Sequence, residues 1–116
     1  MYPYIGTLSS RVAIQVVYFE TTRGDQPVRS YIEKLQQGDR AKVKALINYL
    51  SEKIVLSEPH AKKMGGYRGL YELRPGRHRI FYCYHQGTIV LLHAFPKKSD
   101  KTPHREIETA YKRMIS

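Results

Sequence analysis

The stretch Gly69-Leu-Tyr-Glu-Leu-Arg-Pro-Gly-Arg-His-Arg-Ile-Phe-Tyr-Cys-Tyr84, followed across Gln86-Gly87 by Thr88-Ile-Val-Leu-Leu-His-Ala-Phe95, decides the fold of this chain. It contains three short runs rich in aromatic and β-branched residues. Between them lie Pro75-Gly76, which suits a type II turn, and Gln86-Gly87, links too short for anything but hairpins. The spacing predicts strands over 69–74, 79–84 and 88–95, joined as an antiparallel meander.

Working outward, Arg11-Val-Ala-Ile-Gln-Val-Val-Tyr-Phe19 reads as a first strand, and residues 1–10 as a tail. Pro27 suits the start of a helix, in which Val28, Tyr31, Ile32 and Leu35 recur at i, i+3, i+4 and i+7. Gly38 is expected to end it, and Asp39 to cap a second helix with Val43, Leu46, Ile47, Leu50 and Ile54 on one stripe. Two amphipathic helices so closely linked should pack as an antiparallel pair on a sheet. Downstream, Thr102-Pro103 supplies an N-cap and first helical residue for a last helix whose Ile107, Ala110, Tyr111 and Met114 share a face. The order is β-α-α-β-β-β-α: an α+β fold, with an antiparallel sheet, two N-terminal helices packed on it, and a C-terminal helix beside the basic edge. At 116 residues the chain is expected to form one domain spanning 1–116.

Charge is unevenly spread. The formal net charge is +10; residues 62–116 carry 12 Lys and Arg against 4 acids, while residues 1–61 carry 8 against 6. This asymmetry points to an anionic partner for the C-terminal half, nucleic acid or an acidic protein, with a merely solubilising surface as the alternative. Cys83 is the single cysteine, so no intrachain disulfide can form. The chain shows neither a secretory leader pattern nor an apolar stretch long enough to span a bilayer, so a cytoplasmic protein without membrane association is expected. There is no His-Glu-x-x-His, cysteine pair or carboxylate cluster, so no metal or other cofactor is expected. A phosphate-cradling glycine loop and a Gly-x-Ser-x-Gly elbow are also lacking, which removes nucleotide-hydrolysing and serine-hydrolase readings.

The blocks Gly-Leu-Tyr-Glu-Leu-Arg (69–74), Arg-Ile-Phe-Tyr (79–82), Ile-Val-Leu-Leu-His-Ala-Phe-Pro-Lys-Lys (89–98) and Lys-Thr-Pro-His-Arg-Glu-Ile-Glu (101–108) occur in order at fitting spacings. In that combination the chain resembles the HigB-type, phage-derived branch of the RelE/ParE toxin superfamily, over most of its length after residue 11. The resemblance implies a RelE/ParE-like fold and the toxin of a type II toxin–antitoxin pair, usually an mRNA endonuclease (mRNA interferase) that inhibits translation, often on the ribosome. It also implies a cognate antitoxin, of helix-turn-helix type, as partner, with mRNA and the ribosome as targets. The superfamily includes gyrase-directed, ParE-like toxins without ribonuclease activity, and a non-catalytic nucleic-acid-binding phage regulatory protein would need only the basic charge.

Metal-free RNA cleavage by the 2′-hydroxyl needs a proton acceptor, positive charge at the phosphate, and a proton for the leaving 5′-oxygen. Strand alternation puts Leu70, Glu72 and Arg74 on one face and Tyr71 and Leu73 on the other. Glu72 is then either the base or an ion-pair partner that ties the hairpin together; among the relatives its position holds an acid in some and lysine in others. Arg74 and Arg79 match the family's arginines by spacing and would form the cationic clamp. Lys97 and Lys98 emerge at a strand end, where lysine binds phosphate as a point charge or is simply solvated. Lys63, Arg68, Lys101 and Arg105 are candidates for the RNA backbone, and Tyr71 for base stacking if its face is open. His93 is a reserve general acid or a satisfied core histidine; His78 and His85, near turns, are expected to be exposed. Tyr82 and Tyr84 share the face of Ile80 and suit packing against the helices, and Cys83 a small buried hydrophobe.

Overall fold

In a computed structural model that describes residues 13–116, the chain forms five strands and three helices. They are β1 (Gln15–Tyr18), α1 (Pro27–Glu33), α2 (Gln37–Lys53), β2 (Ala61–Lys63), β3 (Tyr71–Leu73), β4 (His78–His85), β5 (Thr88–Pro96) and α3 (His104–Ile115). The tail read at residues 1–10 and the start of the first strand at Arg11 and Val12 lie outside the described residues.

The sheet order is β1-β5-β4-β3-β2. The three meander strands pair antiparallel as expected, Glu72 opposite Phe81 and Arg79 opposite Phe95. Gln86 and Gly87 both have positive φ, 49° and 77°, which makes the β4–β5 connection a type I′ turn matched to the strand twist. The Pro75-Gly76 link closes instead through the His78 amide on the Pro75 carbonyl at 3.1 Å, with Gly76 at φ 60°. Positive φ therefore falls at the first central residue, one place earlier in the turn than type II requires.

Two features of the sheet depart from the sequence reading. β1 runs parallel to β5, Val16 opposite Ile89 and Tyr18 opposite Leu91, so the sheet is mixed. β2 is an additional edge strand, Lys62 opposite Glu72; Ala-Lys-Lys has little strand propensity, and its extended shape follows from pairing with β3.

The sheet is covered on both faces. Leu73, Ile80, Tyr82, Ile89 and Leu91 pack with Val28 and Ile32 of α1 and Val43 and Leu50 of α2. Leu70, Phe81, Cys83, Leu92 and Phe95 form a second core with Ala110, flanked by Ile107, Tyr111 and Met114 of α3. The C-terminal helix thus lies across the opposite face of the sheet, where sequence reading had set it beside an edge. Continuous apolar runs such as Ile80–Cys83 and Ile89–Leu92 have this cause, since a strand buried on both faces need not alternate. An irregularity between Phe81 and Tyr82 pairs Phe81 with His93 and Tyr82 with Leu91, leaving Leu92 as an extra residue. Leu92 and His93 therefore both lie on the α3 face, while Leu91 enters the opposite core.

Helix boundaries also differ. α1 ends at Glu33 and α2 begins at Gln37, so Gly38 and Asp39 lie in the first turn of α2 and neither ends nor caps a helix. Ile54 closes α2 with its side chain exposed, off the apolar stripe. Pro103 holds the N-cap position of α3 without a side-chain cap, which frees the Thr102 hydroxyl for another partner.

Candidate functional site

The basic residues gather where the β3–β4 hairpin turns and β5 leaves the sheet. The Lys97 amide donates to the Arg77 carbonyl at 2.7 Å, tying the end of β5 to the hairpin. From there residues 97–103 lead to the start of α3, and at Thr102 this segment meets Glu72 of β3.

Glu72 is the pivot of the site. Its carboxylate has no exposed surface. Oε1 accepts from Arg74 Nε at 3.0 Å, and Oε2 accepts from the Thr102 hydroxyl at 2.7 Å. The sequence left Glu72 as base or ion-pair partner; the structure shows a buried carboxylate with both oxygens engaged, one by Arg74 and the other by Thr102. A buried charge is tolerated only when paired and hydrogen-bonded, and both conditions are met here. The arrangement fixes the Arg74 guanidinium against β3 and ties the entry of α3 to the hairpin.

Arg74, 24% exposed, also approaches Glu58 at 4.0 Å. Arg79 is half-buried on the same face, and its Nη1 donates to the carbonyls of Gly76 at 2.9 Å and His78 at 2.8 Å. Burial lowers the Arg79 pKa, the Glu72 charge opposes that shift, and the Arg74 charge adds to it. Two guanidinium groups are thus held within electrostatic reach of each other around one carboxylate. Lys97 approaches Asp100 at 3.3 Å, while Lys98, Lys101 and Arg105 are exposed on the segment and the first turn of α3.

Other expected site residues are placed elsewhere. Lys63, on the edge strand, pairs opposite Tyr71, and Arg68 lies in the following turn, beyond the end of β3 away from the hairpin. The Tyr71 ring stacks on Tyr82 with centroids 5.4 Å apart, so its face is occupied by packing with the helix-side core. His93 packs between the sheet and α3, its Nε2 2.6 Å from Glu106 Oε1 and its Nδ1 3.4 Å from Arg113 Nη1. Those contacts describe a satisfied histidine locking α3 to β5.

His78 was expected to be exposed and is buried. Tyr31 OH lies 2.7 Å from Nδ1, and Nε2 lies 3.1 Å from Asp39 Oδ2, so one ring joins α1, α2 and β4. Burial, then the Asp39 charge, raises the Tyr31 pKa, which keeps the phenol protonated and able to donate to Nδ1. The hydrogen bond from His78 is the main cause holding the Asp39 carboxyl below its ordinary value. Sequence reading missed Tyr31, Asp39 and Thr102 as partners, since each lies 30 or more residues from the group it bonds. Cys83 is buried, which raises its thiol pKa and suits an inert packing role. Among the described residues no three His, Cys, Asp or Glu side chains converge in a metal-holding group.

Residues 30–115 match the model of the family described as "Phage derived protein Gp49-like (DUF891)". The chain belongs to this Gp49-like family. The matched span of the Gp49-like chain contains Glu72, Arg74, Arg79, Thr102 and every lysine of the 97–101 segment. Two solved structures share its architecture. The archaeal RelE–RelB complex from Pyrococcus horikoshii OT3 aligns with a TM-score of 0.57 at 19% identity, covering 74% of this chain and 97% of that one. The RelB–RelE antitoxin–toxin complex from Methanococcus jannaschii aligns with a TM-score of 0.50 at 20% identity, covering 63% and 86%. At such identities the likeness concerns the fold, which is RelE-like. No curated protein matches the sequence. Among the described residues of the Gp49-like chain, no helix is long and apolar enough to cross a membrane.

Proposed function

We propose that this Gp49-like protein is the toxin of a type II toxin–antitoxin pair, of HigB-type, and that it cleaves mRNA without a metal. The observation that carries the reading is the pairing of Arg74 and Arg79 around the buried Glu72, with Lys98 and Lys101 on the following segment and Arg105 in the first turn of α3. Attack of a 2′-oxygen on the adjacent phosphate builds negative charge on the phosphorane, and preorganised guanidinium groups stabilise that charge. The step forms the 2′-O–P bond and breaks the P–O5′ bond, with the 2′-hydroxyl proton passing to water and water returning a proton to the departing 5′-oxygen, leaving a cyclic phosphate and a 5′-hydroxyl. In this reading Arg74 and Arg79 are the catalytic groups, and Glu72 with Thr102 positions Arg74 and the segment that carries the lysines. Lys97, Lys98, Lys101 and Arg105 hold the flanking phosphates; Lys63 and Arg68 extend the basic surface along the β2 edge.

The RelE-like fold and membership of a phage-derived family support a toxin, and the neighbouring structures, both toxin–antitoxin complexes, support an antitoxin as partner. The test is to incubate purified protein with labelled RNA and with translating ribosomes and to map the ends produced. Fragments with 5′-hydroxyl ends, formed in the presence of chelator, are expected. Expression alone should arrest growth, and co-expression with a cognate antitoxin should relieve it. Intact RNA in both assays together with normal growth would overturn the reading.

A further inference from the structure

A groove on the helix side of the hairpin shares a wall with this site. Lys42, Leu46 and Tyr49 lie at helical spacing on one face of α2; with His60, Arg74 and Pro75 they line a cavity of about 430 Å³. That volume falls in the range of about 300–1,000 Å³ in which proteins bind small organic groups. The Arg74 amide donates to the His60 carbonyl at 2.9 Å, and its guanidinium reaches Glu72 on the other side, so one residue belongs to both places. Tyr49 and His60 meet edge to face with centroids 5.6 Å apart, and Tyr49 is 39% exposed. None of the residues lining the groove is acidic, while two, Lys42 and Arg74, are cationic.

We infer that this groove binds the base of a single-stranded RNA nucleotide next to the scissile phosphate, with the ring against Tyr49 and His60 and a phosphate near Lys42. The inference rests on the proposed ribonuclease reading and extends it to the substrate's bases. Aromatic surface takes up a splayed-out base, and flanking cations hold its backbone. Continuity through Arg74 favours RNA over a peptide: a strand whose phosphate lies at Arg74 and Arg79 has its neighbouring nucleotide within reach of the groove. Gly76 approaches the Lys42 stem so closely that a Cβ there would meet Lys42 Cδ at 3.0 Å.

The probe is a fluorescein-labelled 2′-O-methyl oligoribonucleotide of mixed sequence, which cannot be cleaved, compared with its abasic counterpart by anisotropy. Wild-type protein should prefer the base-bearing oligomer. Tyr49→Ala should bind that oligomer about 5- to 150-fold more weakly, the range expected for one stacked base, and the abasic oligomer unchanged. Tyr49→Phe should retain wild-type affinity, and His60→Ala should repeat the alanine effect at smaller size. Tyr49→Ala and His60→Ala proteins that are folded by circular dichroism and discriminate the oligomers as wild type does would overturn the inference. So would Tyr49→Ala losing the antitoxin but not RNA, which would assign the groove to a protein partner. Wild-type protein that cleaves RNA while the variants bind normally sinks the base site alone; wild-type protein that neither cleaves nor binds RNA sinks the functional reading and the base site with it.

Discussion

Replacing Glu72 by glutamine separates the two roles a carboxylate can play at this place. In the wild type, Oε1 accepts from the Arg74 guanidinium at 3.0 Å and Oε2 from the Thr102 hydroxyl at 2.7 Å. A hydrogen bond to a charged group contributes about 1.5–3 kcal/mol net. Glutamine keeps one acceptor oxygen. If that oxygen faces Arg74, its NH₂ meets the Thr102 hydroxyl, which can rotate to accept; the loss is then the charge on one bond and the ion-pair attraction. Deleting one member of a fully buried pair costs about 3–5 kcal/mol, but Arg74 is 24% exposed and can recover part of that from water and Glu58. A loss of about 2 kcal/mol follows. With a urea m-value of about 1–3 kcal/mol/M, the unfolding midpoint should fall by about 0.7–2 M with m unchanged. The measurement is urea unfolding by far-UV circular dichroism, paired with RNA cleavage on the same preparation. As a positioning residue Glu72 should couple the two readouts: lower midpoint, and slower cleavage because Arg74 is released. A cleavage rate reduced about 10²–10⁴-fold at an unchanged midpoint would refute this, since that pattern belongs to an accessible general base.

Arg79→Ala should slow cleavage about 10²–10³-fold while the protein remains folded by circular dichroism; full activity in the folded variant would remove Arg79 from the clamp. Changing Lys97, Lys98, Lys101 and Arg105 together to alanine should flatten the dependence of log affinity on log salt by roughly 0.7 per lost phosphate contact, and an unaltered slope would put the RNA elsewhere. Asp39 has a folded-state pKa below its ordinary 3.8, so its stabilising contribution is fully present above that value and disappears as pH falls through the lower folded value. Asp39→Asn should therefore show a smaller drop in thermal midpoint than wild type on acidification below about pH 4, and parallel profiles for the two proteins would count against the His78 bond. His78→Phe should lower stability by about 1–3 kcal/mol in urea, because it strands the Tyr31 hydroxyl and removes the tie to Asp39.

The elements whose signals are local could be read from the chain before any tertiary contact was known. The meander from β3 to β5 was legible because apolar runs flank two turn dipeptides, and Gln86-Gly87 adopts the positive φ values that its turn demands. α3 was legible because Ile107, Ala110, Tyr111 and Met114 recur at helical spacing, and all four pack on the sheet. Arg74 and Arg79 were singled out by their match in spacing to the family's arginines, and the hairpin's short turn brings them within electrostatic reach of each other.

The remaining features depend on contacts between residues far apart in the chain. β1 joins β5 in parallel through residues more than 70 apart in sequence, a pairing no local pattern encodes. β2 is a strand only because β3 offers it an edge. His78 reads as a turn histidine until α1 and α2 bring Tyr31 and Asp39 against it from 47 and 39 residues away. Alternation correctly put Glu72 and Arg74 on one face, yet it carries no information about what covers that face. Thr102, suited by type to cap a helix, reaches that face and gives its hydroxyl to Glu72 because a buried carboxylate without a second donor would be far costlier than an uncapped helix start.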